Sequence, residues 1–154
     1  MGYTTAAALH RLGADGQVVV AELVPAVVAW NRGPLADLAG RPLQDARVTV
    51  READVARILQ AERRAYDAVL LDVDNGPAGL TWKGNDCLYA RAGLDAAYAA
   101  LRTAGVLAVW SASPDRAFAK RLCRVGFEVT EVCVQARGPR GGGQHIIWLA
   151  VRMS

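Results

Sequence analysis

The sequence predicts an α/β domain, a mostly parallel sheet flanked by helices and closed by a C-terminal antiparallel hairpin. Two observations carry this. Short apolar β-rich runs alternate with helical patterns along most of the chain, as in parallel strands joined by crossover helices. The tail then breaks the alternation. Two long β-rich runs, Phe127 to Ala136 and Gln144 to Arg152, flank a glycine-rich turn and read as an antiparallel pair. The 154 residues and 16.4 kDa suit one domain, expected to span 1–154.

In chain order, Thr4 or Thr5 is expected to cap a first helix that ends at Gly13. Gln17 to Glu22 reads as a buried strand. Pro25 suits the first turn of the next helix, with Leu23, Val27 and Trp30 at helical spacing and Gly33 near its end. A Pro/Gly-containing loop leads to a strand at Arg47 to Glu52 and a short helix at Asp54 to Glu62. Asp67 to Val73 is a further apolar strand. Asp74-Asn75-Gly76-Pro77 is composed of turn formers. Asp86 to Thr103 is expected as one long helix with Leu94, Tyr98 and Leu101 on one face. Gly105 to Trp110 is the next strand. Ser113-Pro114 is expected to cap a helix that buries Phe118 and Leu122 and stops at Gly126.

Composition limits the function classes. Hydrophobic residues make up 53% and charged residues 21%, which excludes a disordered chain. No apolar run reaches the roughly 18–20 residues of a membrane span, and no signal peptide is visible, so a cytoplasmic protein without membrane contact is expected. The net charge is +3, but the one basic cluster is Arg137 to Arg140, too small for a nucleic-acid footprint. The three cysteines, Cys87, Cys123 and Cys133, form no CxxC pair, so reduced thiols and no metal site are expected. A mean hydropathy of +0.14 permits an oligomer interface, and a homodimer is expected.

The candidate chemistry is acidic. In open α/β sheets ligands bind outside the carboxyl ends of the strands. Three predicted strands end at or just before an acid: Glu22, Asp54 and Asp72. Such acids accept hydrogen bonds from ribose hydroxyls or a base amine, and face a sulfonium or ammonium charge. The structural alternative for each is a helix cap or a solvated loop charge. Gly2, just before the first helix, could let backbone approach a nucleotide. Trp82 could cover a ligand or an interface, and Tyr89 could hold substrate or pack. His145, at the start of the last strand, reads as structural. The Arg137 to Gly143 segment reads as a hairpin turn.

These residues carry a resemblance. The parallel sheet with its closing hairpin is the ending of the class I S-adenosylmethionine-dependent transferase fold. Met1-Gly2-Tyr3-Thr4 and the alanine-rich helix after it resemble the second half of the Gly-rich motif of spermidine synthase-like proteins, the polyamine aminopropyltransferases. The run from Val20 to Asn31 is similar to the family's second strand and helix. By this resemblance Gly2, Tyr3, Glu22 and Leu23 contact the co-substrate, Glu22 at the ribose. Ala53 and Asp54 lie at the adenine, Pro77 and Ala78 cover it, and Asp72 is the catalytic aspartate. Asp74 is implied as a second amine anchor, although the loop spacing departs from the family's. Leu88-Tyr89 resembles the start of the family's next helix.

The resemblance implies aminopropyl transfer from decarboxylated S-adenosylmethionine to a small-molecule amine, with no metal. An S-adenosylmethionine-dependent methyltransferase and a non-catalytic dimerising remnant are the alternatives. The family's N-terminal hairpin region and first strand have no counterpart here, and that strand would lie between the strands at Val18 and Val69. Either the gene starts upstream of Met1, or the chain is a remnant that re-pairs its sheet or borrows a strand.

Overall fold

The computed structural model describes residues 2–73, 86–135 and 143–154. It divides into two compact units, one reaching to Ile58 and one starting at Leu59.

In the first unit, helix α1 (Tyr3–Arg11) precedes strand β1 (Val18–Glu22), helix α2 (Pro25–Arg32), two short 3-10 turns and strand β2 (Val48–Glu52). β1 and β2 pair in parallel, with Val18 opposite Val48 and Glu22 opposite Glu52. Both strands therefore end at one edge. Pro25 opens α2, where its missing N–H costs nothing, and Gly33 closes it. Arg47 fixes the far end of α1. Its guanidinium donates to the carbonyls of Leu9, Leu12 and Gly13 and pairs with Asp45 at 2.8 Å. Helix α3 (Val55–Ala61) follows β2.

The second unit holds a four-stranded sheet in the order β3-β4-β6-β5. β3 (Tyr66–Leu71) runs parallel to β4 (Leu101–Ser111), while β6 (Gln144–Arg152) lies antiparallel to both β4 and β5 (Phe127–Gln135). The predicted closing hairpin is thus present, and its glycine-rich turn lies outside the described residues. Helices α4 (Asp86–Tyr89), α5 (Arg91–Ala100) and α6 (Arg116–Val125) complete the unit. β4 alternates buried and half-buried residues from Gly105 to Ser111, the period-two pattern of a sheet with one core face. Leu107, Val109, Trp148, Phe118 and Leu122 are fully buried.

Several boundaries differ from expectation. Thr4 and Thr5 do not cap α1. They lie inside it, and Gly2 is the N-cap. The long helix expected from Asp86 to Thr103 is two helices broken at Ala90, and its last residues belong to β4. The break is set by close approach. A Cβ on Gly93 would lie 2.3 Å from the Leu88 carbonyl and 2.4 Å from that of Cys87. The end of α5 is set by distant residues. Arg64 and Ala65 donate backbone N–H groups to the Ala99 and Ala100 carbonyls. Arg152 donates to the Tyr98 and Leu101 carbonyls at 2.8 and 2.7 Å.

Asp115, not Ser113, caps α6, its carboxylate accepting from the Ala117 and Phe118 amides. An ionised carboxylate suits a helix N-terminus better than a hydroxyl. Leu23 and Trp30 are 63% and 53% exposed, and Val28 supplies the buried face of α2 instead. Among the described residues no helix is long and apolar enough to cross a membrane.

Candidate functional site

In the first unit the parallel register aligns the ends of β1 and β2, so Glu22 and Glu52 stand side by side, roughly 4.8 Å apart across the ladder. Asp54 follows two residues later. Each candidate acid also has a local task. Glu22 accepts the Val24 amide on Oε1 at 2.9 Å, and Asp54 accepts the Ala56 amide on Oδ1 at 2.8 Å. These bonds fix the carboxylates as they turn into α2 and α3. Among the described residues the second oxygen of each is not engaged, so each acid can serve as a cap and still accept from a ligand. Leu23 is exposed beside Glu22, and Ala53 half-buried beside Asp54. Glu52 was missed as a candidate. Its place beside Glu22 comes from the parallel register, which the sequence does not show.

Gly2 adopts a left-handed conformation (φ 73°), which glycine alone enters without strain. The nearest groups to the place of its missing Cβ are Pro42, the Asn31 side-chain oxygen and Ala39. Gly2 thus has a packing reason to be glycine that is independent of any nucleotide. Tyr3 is exposed.

In the second unit Asp72 lies exposed one residue beyond β3. Tyr89, at the end of α4, is only 4% exposed. Its ring meets Phe118 edge-on at 5.8 Å, and Phe118 meets Trp148 edge-on at 4.9 Å. The three form an aromatic row from α4 through α6 to β6. Burial, and then the negative charge of Asp72, push the Tyr89 phenol up to about 12. Among the described residues the Tyr89 hydroxyl, Trp148 Nε1, Arg121 Nε and His145 Nδ1 are buried without hydrogen-bond partners. His145 packs at 5.0 Å against Trp110, which is half-buried. Ser111, at the end of β4, is buried with its hydroxyl bonded to the Ser113 carbonyl at 2.9 Å.

Asp74, Pro77, Ala78 and Trp82 lie outside the described residues, as does the Arg137 to Arg140 cluster. Cys87, Cys123 and Cys133 are exposed. Among the described residues no group of His, Cys, Asp or Glu could hold a metal ion.

No family model and no curated protein matches the chain. Solved structures do. Spermidine synthase from Thermotoga maritima aligns over 88% of this chain and 45% of its own, with a TM-score of 0.69 and 18% identity. A spermidine synthase in complex with the transition-state analogue AdoDATO gives 0.74 at 17% identity, over 88% of this chain and 46% of that one. A predicted O-methyltransferase from Agrobacterium tumefaciens gives 0.64 at 21% identity, over 99% of this chain and 70% of that one. The chain therefore spans less than half the length of the two spermidine synthases. At these identities the likeness concerns the fold, and the fold is the spermidine synthase-like, class I S-adenosylmethionine-dependent methyltransferase fold expected from the sequence.

Proposed function

We propose that the chain binds an adenosyl sulfonium donor, decarboxylated S-adenosylmethionine, and transfers its aminopropyl group to a small amine. The observation that carries this reading is the edge of β1 and β2. There Glu22 and Asp54 each have one carboxylate oxygen held by backbone and the other open among the described residues, in a fold shared with spermidine synthases and methyltransferases. Glu22 accepts from ribose hydroxyls and Asp54 from the adenine amine. Asp72 takes the amine proton, and Asp74 is assigned the role of second amine anchor. Leu23 and Ala53 supply apolar contact to the nucleoside, with Gly2, Tyr3, Pro77 and Ala78 assigned to the same ligand.

The transfer balances simply. The amine nitrogen attacks the carbon beside the sulfonium, and the C–S bond breaks with its electron pair passing to sulfur. Neutral methylthioadenosine leaves, and the amine gives one proton to Asp72. Calorimetry with methylthioadenosine tests the binding step. Heat is expected from the wild-type chain, with weaker affinity in Asp54→Ala. No heat at millimolar ligand, together with an Asp54→Ala titration no different from the wild type, would sink the reading.

A methyl transfer from S-adenosylmethionine is the second reading. Two methyltransferases share the fold, and the chain covers 70% and 77% of their lengths. Incubation with both donors and a panel of amines separates the two by the mass added to the amine. A homodimer belongs to either reading, supported by the exposed Trp30 and Leu38, and light scattering reads it directly. A non-catalytic dimer would scatter as a dimer and add no mass to any amine.

A further inference from the structure

We propose that the outward face of α2 is the docking surface for a second copy of this chain, the two helices packing antiparallel across a two-fold axis with Trp30 of each seated on Ala26 of the other. The inference rests on the homodimer reading, whose surface it names, and not on the transfer chemistry.

What α2 turns to solvent is apolar. At 3.6 residues per turn, positions 26, 29, 30 and 33 fall on one stripe about 100° wide. They are Ala26, Ala29, Trp30 and Gly33, and all four are exposed. Val28, the buried residue of the helix, lies on the opposite side. The outer face of a surface helix ordinarily carries charged or polar residues, and this stripe carries none. Trp30 is 53% exposed, a large apolar group of the kind that anchors interfaces. Leu38, also 53% exposed, adds apolar surface from the next 3-10 turn (Ala36–Ala39). The Leu35 amide, just before that turn, ties it to the Trp30 carbonyl at 2.9 Å.

Shape and charge both select a second copy as the occupant. About position 28 the stripe is complementary to itself. Antiparallel packing sets Trp30 on the partner's Ala26 and Ala26 under the partner's Trp30, so each contact is made twice, as a two-fold interface requires. Ala29 and Gly33 leave the backbones room to approach. The two ends of α2 differ in charge, with Glu22 just before the helix and Arg32 in its last turn. Antiparallel packing brings unlike ends and opposed helix dipoles together, whereas parallel packing brings like ends together. Size sets the strength. Two turns of helix are about 12 Å long, well short of the roughly 800 Å² per partner of a tight complex. A weak dimer follows, forming in roughly the 10–100 μM range.

The test is sedimentation and light scattering of the whole chain from about 1 μM to about 1 mM. The wild-type mass is expected to rise from 16.4 kDa toward twice that value. Trp30→Glu and Ala29→Glu each place a charge on the stripe and are expected to weaken association about tenfold or more, with the melting temperature of the dilute chain unchanged. Val132→Glu charges another exposed apolar residue, in the second unit, and is expected to leave association unchanged. A concentration-dependent blue shift of tryptophan emission is expected in the wild type and absent from Trp30→Phe. A dimer equally strong in Trp30→Glu and Ala29→Glu overturns the inference and leaves the homodimer reading standing. A wild-type chain that stays monomeric overturns both. Growth beyond two copies overturns the inference, since the contact is then not closed. Equal weakening by Val132→Glu overturns it too, since association is then unspecific. Stripe variants that both melt earlier in the dilute chain also overturn it, since the stripe then serves the single chain.

Discussion

The two units solve one problem in different ways. Each must tie the C-terminal end of a helix, with its carbonyls left over, to the sheet. In the first unit Arg47 does this from the start of β2, with its side chain one-quarter exposed and partnered by Asp45. In the second, Arg152 does it from the end of β6. It is 8% exposed, bonded to the Tyr98, Leu101 and Ser154 carbonyls, with its guanidinium 4.6 Å from the Tyr98 ring centre. Helix-end dipoles and an aromatic face replace the carboxylate there. The difference follows the cores. The first unit buries Leu9, Val28, Ala36 and Ile58 around a two-stranded sheet, whereas the second fully buries Leu94, Leu101, Leu107, Phe118 and Trp148 around four strands. One arginine is a surface clamp, and the other is part of the core.

That contrast is open to direct attack. Arg152→Met is expected to have the largest effect, about 3 kcal/mol or more, because it strands buried carbonyls. Urea unfolding followed by tryptophan fluorescence reads it. Arg47→Met should shift the midpoint much less, and equal shifts would break the comparison. Gly93→Ala is expected next, at about 1–3 kcal/mol, because the added methyl meets backbone that cannot yield. Asp115→Ala should cost about 1 kcal/mol through loss of the α6 cap.

The smallest effects concern pH. The hydrogen bond from the Arg47 side chain, and then that from its backbone amide, hold Asp45 down at about 2. The stability from this pair is present above the ordinary carboxylate range and is lost as pH falls toward about 2. Asp45→Asn should flatten that acid limb. Tyr89 is the opposite case. Its raised value means stability is fully present below about pH 10 and is lost as pH rises toward about 12. Tyr89→Phe should flatten the alkaline limb, and thermal melts across pH read both.

The order and type of the elements were legible because the apolar runs and turn formers are unambiguous. Pro25, Gly33, Gly126 and the closing pair of strands fall where expected. Three kinds of feature were not legible. The end of α5 depends on Arg152, more than fifty residues away along the chain. The cap of α6 is Asp115 and not the expected Ser113, because the helix starts two residues later than the Ser-Pro pair suggests. The exposure of Trp30 shows that helical spacing identifies a stripe but not what covers it.

The site divides similarly. Strand-end acids could be read from the sequence, as could their caps. The pairing of Glu22 with Glu52 needed the register, and the buried hydroxyl of Tyr89 needed the fold.

The central claim is that the open carboxylate oxygens at the end of β1 and β2 receive an adenosyl ligand. Hydrogen exchange of the chain with and without saturating methylthioadenosine tests it most directly. The account predicts slower exchange at the amides of residues 22–24 and 53–56, while β4 and β6 are already slow. Unchanged exchange at both strand ends under saturating ligand would contradict it.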